Sequence, residues 1–240
     1  MGKQEMVKKT ETSMMEMPDF ITSGDTRGTE HIGKDDIRPP RLSLAQGLSP
    51  QMIETDPLYI DGLKLGDGFN DLTGQIYGKT PIDVLIVRAD PPRHVEFGED
   101  REIVDANVPA NDPRAQWTDG PDGDRVKPVA TKFYDYVVLK LPEREPIALS
   151  FKSTGIKTAM RLNSLIRMKP VPLFACVYQL TPVQNKNDEG TWFGWSVRQA
   201  GFVQDKALYD FAQQVFDSWK EKRVDYATDP EAEATPSAEM

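Results

Sequence analysis

FYDYVVLKL at residues 133–141, PIALSFK at 146–152, IKTAMRLNSLIRM at 156–168 and LFACVYQL at 173–180 are the runs that decide the fold. The first two are aromatic and β-branched, and the turn Pro142-Glu-Arg-Glu145 between them is short enough to make them a hairpin. The third run is rich in helix formers, with Thr154 offering a cap before it and Pro170 stopping it. The fourth reads as a strand again. Working outward, IDVLIVRA at 82–89 supplies a strand before this set and TWFGWSVR at 191–198 one after it. The order strand, strand, strand, helix, strand, strand predicts a mainly β chain. It is the order of a five-stranded small β-barrel of the oligonucleotide-binding type (OB-fold), in which a helix between strands three and four plugs the barrel bottom. Other small α+β folds share the order.

The flanks divide the chain further. Residues 1–36 carry no sustained periodicity and read as a flexible N-terminal arm. Residues 37–203 form the predicted domain. It opens with a loop-rich collar of turn formers, from Arg38 to Gly78, and contains a long insertion at 91–130 between the first two strands. Irregular segments that long are functional or disordered, and the first inter-strand loop of such a barrel grips ligand, so the insertion is expected to be a mobile clamp, with a decorative hairpin or disordered loop without ligand contact as the open alternative. Residues 204–224 place Leu208, Phe211, Ala212, Val215 and Trp219 on one helical face behind a cap at Asp205, which predicts a helix packed on the domain. Residues 225–240 hold almost nothing apolar and are expected to be a disordered acidic tail.

With 240 residues, of which 38% are hydrophobic and 28% charged, the chain has the composition of one soluble domain with polar extensions. No run approaches the roughly 18 apolar residues that span a bilayer, and the start Met-Gly-Lys-Gln-Glu lacks the apolar core of a secretory signal. A cytoplasmic protein without membrane contact is expected. Cys176 is the single cysteine and lies in an apolar run, which predicts a buried thiol.

The charge is segregated. The net charge is -9, yet no acid occurs between Glu145 and Asp188, where Lys152, Lys157, Arg161, Arg167, Lys169 and Lys186 fall. The tail holds Asp225, Asp229, Glu231, Glu233 and Glu239 without a cation. Such a pattern suits a polyanion-binding surface accompanied by its own mobile competitor. On the helix, Lys157, Arg161, Ser164 and Met168 share one face, and Ile156, Ala159, Met160, Leu162 and Ile166 the other. Strand alternation puts Tyr134 and Tyr136 on one face with Lys140, Trp192 with Arg198, and Phe174 with Tyr178. Tyr134, Tyr136 and Trp192 have polar neighbours and are candidate stacking platforms for bases, whereas Phe133, Phe151, Phe193 and Trp195 are expected in the core. Arg88 and Arg93, at the end of the first strand and the start of the insertion, complete the candidate DNA-binding set with Lys140, Lys152, Lys157, Arg161 and Arg198.

Catalytic signals are thin. Gly74-Gln-Ile-Tyr-Gly78-Lys79-Thr80 resembles a phosphate loop but spaces its glycines one residue too closely, and Pro81 leads into a strand. His31 and His94 with one cysteine assemble no zinc spacing. Asp83 and Asp135 are the chief carboxylates inside strands, too few for a two-metal nuclease site. No catalysis and no cofactor are expected.

Arg41-Leu-Ser-Leu-Ala-Gln-Gly-Leu-Ser-Pro50, Gly66-Asp-Gly-Phe-Asn-Asp-Leu-Thr-Gly-Gln-Ile-Tyr77 and Ser150-Phe-Lys-Ser-Thr-Gly-Ile-Lys157 resemble small proteins of tailed bacteriophages that look like single-stranded DNA-binding proteins. The likeness spans about residues 38–203. It implies an oligonucleotide-binding barrel, no cofactor, and a role in phage DNA replication or recombination. Single-stranded DNA is the implied partner, with phage replication proteins and further copies of the chain as candidates. Proteins of this class commonly end an acidic tail on an apolar or aromatic tip that docks partners; here the sequence given closes on Ser237-Ala-Glu-Met240, and recruitment through the tip is not expected. A phage structural or assembly component stays open as the second class, and a nuclease as the third.

Overall fold

A computed structural model describes residues 28, 29, 31, 40–99, 102–188 and 190–219. The chain divides into two units, 1–37 and 38–240, and the second carries the fold described below. The arm at 1–36 is thus almost wholly outside the described residues, as is the acidic tail at 225–240.

Among the described residues twelve strands and two α-helices are formed: β1 (Leu42–Leu44), β2 (Gly68–Asn70), β3 (Ile76–Gly78), β4 (Ile82–Ala89), β5 (Arg93–Phe97), β6 (Ile103–Val108), β7 (Thr118–Asp119), β8 (Arg125–Val126), β9 (Thr131–Lys140), β10 (Glu145–Lys152), α1 (Ile156–Arg167), β11 (Cys176–Asn187), β12 (Gly190–Phe202) and α2 (Lys206–Trp219). The chain is mainly β. The principal sheet is antiparallel and runs β12-β11-β4-β9-β5-β6, with β10 on β9. Strand β10 pairs along β9 from Phe133 to Lys140, so β4 and β5 share the opposite edge of β9: Val84–Ala89 pair with 140–136, and Arg93–Val95 with 133–131.

Both faces of the sheet are covered, which explains why β4 reads as a continuous apolar run instead of an alternating one. Ile82, Val84 and Ile86 join Tyr136, Val138, Ile147, Leu149, Phe151, Tyr178, Leu180, Trp195 and Val197 in one core, closed by Ala159 and Leu162 of α1. Leu85, Val87, Val137 and Leu139 face the other way, onto Phe174 and the apolar stripe of α2. The expected cap of α2 is made, with Asp205 accepting from Ala207 N (2.9 Å) and Leu208 N (3.3 Å). The expected cap of α1 is not: a 3-10 turn, Ser153–Gly155, precedes the helix, whose Gly155 cap brings no side-chain bond. Met160, expected on the packed face, is 57% exposed. Phe174 and Tyr178 do not share a face, because Leu173–Ala175 is a 3-10 turn and the strand begins only at Cys176.

The barrel is not closed by strand pairing. Among the described residues β10 and β12 do not pair, and the gap between them is filled by α1 and by the collar. Pro40 O accepts from Ala148 N of β10 at 2.8 Å. At the other rim, the Gln46 side chain imitates a peptide group: it donates to Phe193 O and accepts from Phe193 N, both at 2.9 Å. Thr158 of α1 donates to Trp195 O at 2.9 Å. Gly66 makes this docking feasible, since it sits at φ +82 and a Cβ there would lie 2.4 Å from the Phe193 ring.

The insertion at 91–130, expected as a mobile clamp or else as a hairpin or loop without ligand contact, carries four strands, β5 to β8. Strands β5 and β6 extend the main sheet, and Arg114 ties the following segment to them through Glu96 (2.5 Å), Asp112 (2.8 Å) and Asp105 (3.2 Å). The Arg114 guanidinium also holds the Asp112 carboxyl below its ordinary range.

Leu162→Ala is expected to cost about 2–5 kcal/mol by emptying the packed side of α1, and Met160→Ala to stay within about 0.5 kcal/mol; urea unfolding midpoints check both.

Candidate nucleic-acid interface

The strand register builds the site from three neighbouring strands. Arg93 of β5 lies opposite Phe133 of β9, and Lys152 of β10 lies opposite the same residue on the other side. The Arg93 guanidinium stands 4.4 Å from the Phe133 ring centroid and the Lys152 ammonium 5.7 Å. One register step along, Asp135 is 1% exposed. It accepts from Arg93 Nε at 2.6 Å and from Ser150 Oγ at 2.5 Å. An acid this deep in a strand needs such partners, because an unpaired buried carboxylate is expensive.

This row opens into a cleft of about 170 Å³ at the gap between β10 and β12. Its walls come from β1 and the collar, from β9 and β10, from Arg93, from Thr154 and Gly155 ahead of α1, and from Phe193, Gly194 and Trp195 of β12. Beyond Gly155 runs the exposed side of α1 with Lys157, Arg161 and Arg167, then Lys169; Lys186 is exposed on the β11–β12 hairpin. Among the described residues none of these five cations has a carboxylate partner.

The ten candidates from the sequence separate into groups. Arg93 and Lys152 meet at the cleft, and Lys157 and Arg161 lie exposed on α1. Trp192 is half-buried opposite Asn185, on the same face of the hairpin as Arg198, which is exposed and donates to Gln179 Oε1 at 2.9 Å. Tyr134 is half-buried with the Lys132 ammonium 5.0 Å from its ring centroid. Three others do not face a ligand. Tyr136 is 1% exposed, bonded to Asn163 at 2.8 Å and edge-on to Phe151; burial raises its hydroxyl pKa, and its ring cannot stack on a base. Lys140 is 4% exposed, paired with Glu143 and lying 4.6 Å from the Tyr77 ring centroid. Its ammonium lowers the Glu143 carboxyl, while burial followed by Glu145 pushes the Tyr77 hydroxyl up to about 12. Arg88 pairs with Asp90 and donates to Trp219 O at the end of α2. Its cation therefore complements the helix dipole there.

The sequence reading missed the collar side of the cleft, Arg41, Gln46 and Gln51. Asp135, an acid inside an apolar strand, was a signal for a cation partner that the sequence reading did not use; Arg93, already a candidate by its position, fills that place. The phosphate-loop resemblance is absent in three dimensions: Lys79 is followed by β4, not by a helix, and its ammonium stands 5.5 Å from the Phe193 ring centroid. Among the described residues no group of three or more His, Cys, Asp or Glu is placed to hold a metal. No described helix is long and apolar enough to cross a membrane.

The class defined by this geometry is a mainly β protein built on an antiparallel sheet, with a cationic, aromatic-walled cleft at its unpaired side. The model of the Pam3 phage gp34-like protein family matches residues 8–225, and the chain belongs to that family of phage proteins. No curated protein and no solved structure matches it.

Arg93→Met is expected to destabilise the fold by about 3–5 kcal/mol by stranding the Asp135 charge, and Asp135→Asn in the same background to recover part of that loss in urea unfolding. His94, buried on β5 opposite Lys132, has its pKa lowered from 6.5 by burial and then by the Lys132 charge. The unfolded chain thus binds the proton more readily, and stability is expected to fall as pH drops below 6.5 toward the folded value. His94→Gln should remove that component from the pH–stability curve.

Proposed function

We propose that this protein binds single-stranded DNA without chemistry and without strict sequence preference, in phage DNA replication or recombination. The observation that carries the reading is the set of five exposed cations, Lys157, Arg161, Arg167, Lys169 and Lys186, left without carboxylate partners among the described residues of a chain of net charge -9. Ordinary solvated faces intersperse acids with such cations to gain pair interactions. Strand order adds support: β10-β9-β4-β11-β12, with α1 between β10 and β11 in the chain, suits an oligonucleotide-binding barrel left open between its third and fifth strands. The cleft lies where the strand-two and strand-three face, the segment after strand one and the last hairpin converge, and family membership supplies the phage context.

In this mechanism the cations of α1 hold the sugar-phosphate backbone, while the cleft and Trp192 receive bases. The acidic residues of 225–240, outside the described residues, compete for the same cations until DNA displaces them. The alternative, a structural or assembly component, is favoured by a different observation. Leu48, Leu65 and Leu72 of the collar are 61%, 42% and 53% exposed, as a protein-contact surface would be.

Anisotropy of a labelled oligothymidylate decides between them. Binding is expected to weaken about fiftyfold between about 50 and 200 mM salt if four phosphates are neutralised. Lys157→Glu with Arg161→Glu should weaken it about tenfold or more, Lys206→Gln should not, and deletion of residues 227–240 should tighten it. Absence of binding at the lowest salt would overturn the reading in favour of the assembly component. Unchanged affinity on tail removal would discard the competitor alone.

A further inference from the structure

We infer that the cleft beneath the collar is a pocket for one pyrimidine base, read by the carboxamide of Gln51. Gln51 is 7% exposed and lines the cleft. Its main-chain carbonyl accepts from Ile60 N at 3.0 Å, but among the described residues its side chain makes no hydrogen bond. Its amide nitrogen and oxygen are not sealed from solvent, so in a residue this enclosed they reach the surface of the cleft and are open to a ligand there. Gln46, its neighbour in the cleft, shows the contrast, because both polar ends of that amide are bonded to Phe193.

The pocket's size and walls select the ligand. A cavity of about 150 Å³ takes one benzene ring, and this cleft offers about 170 Å³. Phe151 and Trp195, 3% and 8% exposed, supply aromatic wall, and Lys152 and Arg93 stand at its polar side. One six-membered ring with a phosphate beside it is the matching shape. An amide presents one acceptor and two donors, which complement the N3 and O4 edge of thymine, or after rotation the N3 and N4 edge of cytosine. A purine edge would satisfy the same amide, but its fused second ring would lie outside the roughly 170 Å³ of the cleft and gain less from its aromatic wall.

The inference rests on the single-stranded DNA reading for its biological ligand, yet the pocket is testable apart from it. Titration of the full chain with dTMP and dAMP, followed by tryptophan fluorescence, is expected to show saturable binding of dTMP and about tenfold weaker binding of dAMP. Gln51→Leu should bring the two within about twofold while leaving the salt dependence of oligothymidylate binding unchanged. Thr154→Trp, at an exposed position on the cleft's rim, should block the mononucleotide without touching the core, and covers the case in which Gln51→Leu fails to fold. Equal binding of dTMP and dAMP by the unaltered chain overturns the pocket even if long oligonucleotides bind. So does a thymidine preference that survives both variants. Mononucleotide binding without oligonucleotide binding would keep the pocket and remove the DNA reading.

Discussion

Strands β10 and β12 end a curled sheet with main-chain groups that have no strand to bond, and the rest of the molecule is arranged around that deficit. Buried peptide groups left unpaired cost more than a typical hydrogen bond contributes. The chain answers with substitutes: Pro40 O for Ala148 N, the Gln46 amide for Phe193, and Thr158 for Trp195 O. Each substitute comes from a segment that also contributes a wall of the cleft or leads directly from it. The cleft exists because side chains, rather than a ladder of peptide groups, span the gap.

Electrostatics follow the same division. Carboxylates near the sheet are committed to internal partners: Asp135 to Arg93 and Ser150, Asp83 to Gln179, Asp90 to Arg88, Glu143 to Lys140. The cations of α1 are not. Exposed ion pairs contribute only about 0–1 kcal/mol, so leaving Lys157 and Arg161 without acids sacrifices little stability. What it produces is an unneutralised positive surface whose reach at physiological salt is about 8 Å, enough to attract an anionic chain passing alongside.

The sheet was legible in the sequence because β-branched runs announce strands whatever their partners. The 82–89 strand has the expected bounds, and the hairpin of β9 and β10 and the helix after it lie within two residues of expectation. The insertion was not legible. Its strands are short, bulged and half-exposed, and its order depends on Arg114 meeting acids up to 18 positions away, which no local pattern records. Face assignment failed at Tyr136 and Lys140 because alternation says which residues share a side but not which side is covered. That was decided by α1 and the collar, through Asn163 and Tyr77.

The two helices cover opposite faces and thereby separate two tasks. Helix α2 seals the Leu85 and Val137 face and is held at its end by Arg88, so that face is spent on stability. Helix α1 closes the other core with Ala159 and Leu162 while Lys157, Arg161, Ser164 and Arg167 stay exposed, and its first turn continues directly from the cleft. A ligand attracted by α1 would therefore be delivered along one continuous path, from long-range attraction at Lys157 and Arg161 to short-range contact at Lys152, Phe151 and Gln51. Rigidity matters for the second stage alone, since a base pocket needs its walls fixed to within a fraction of an ångström. The sheet, packed on both faces, provides that where an exposed loop could not.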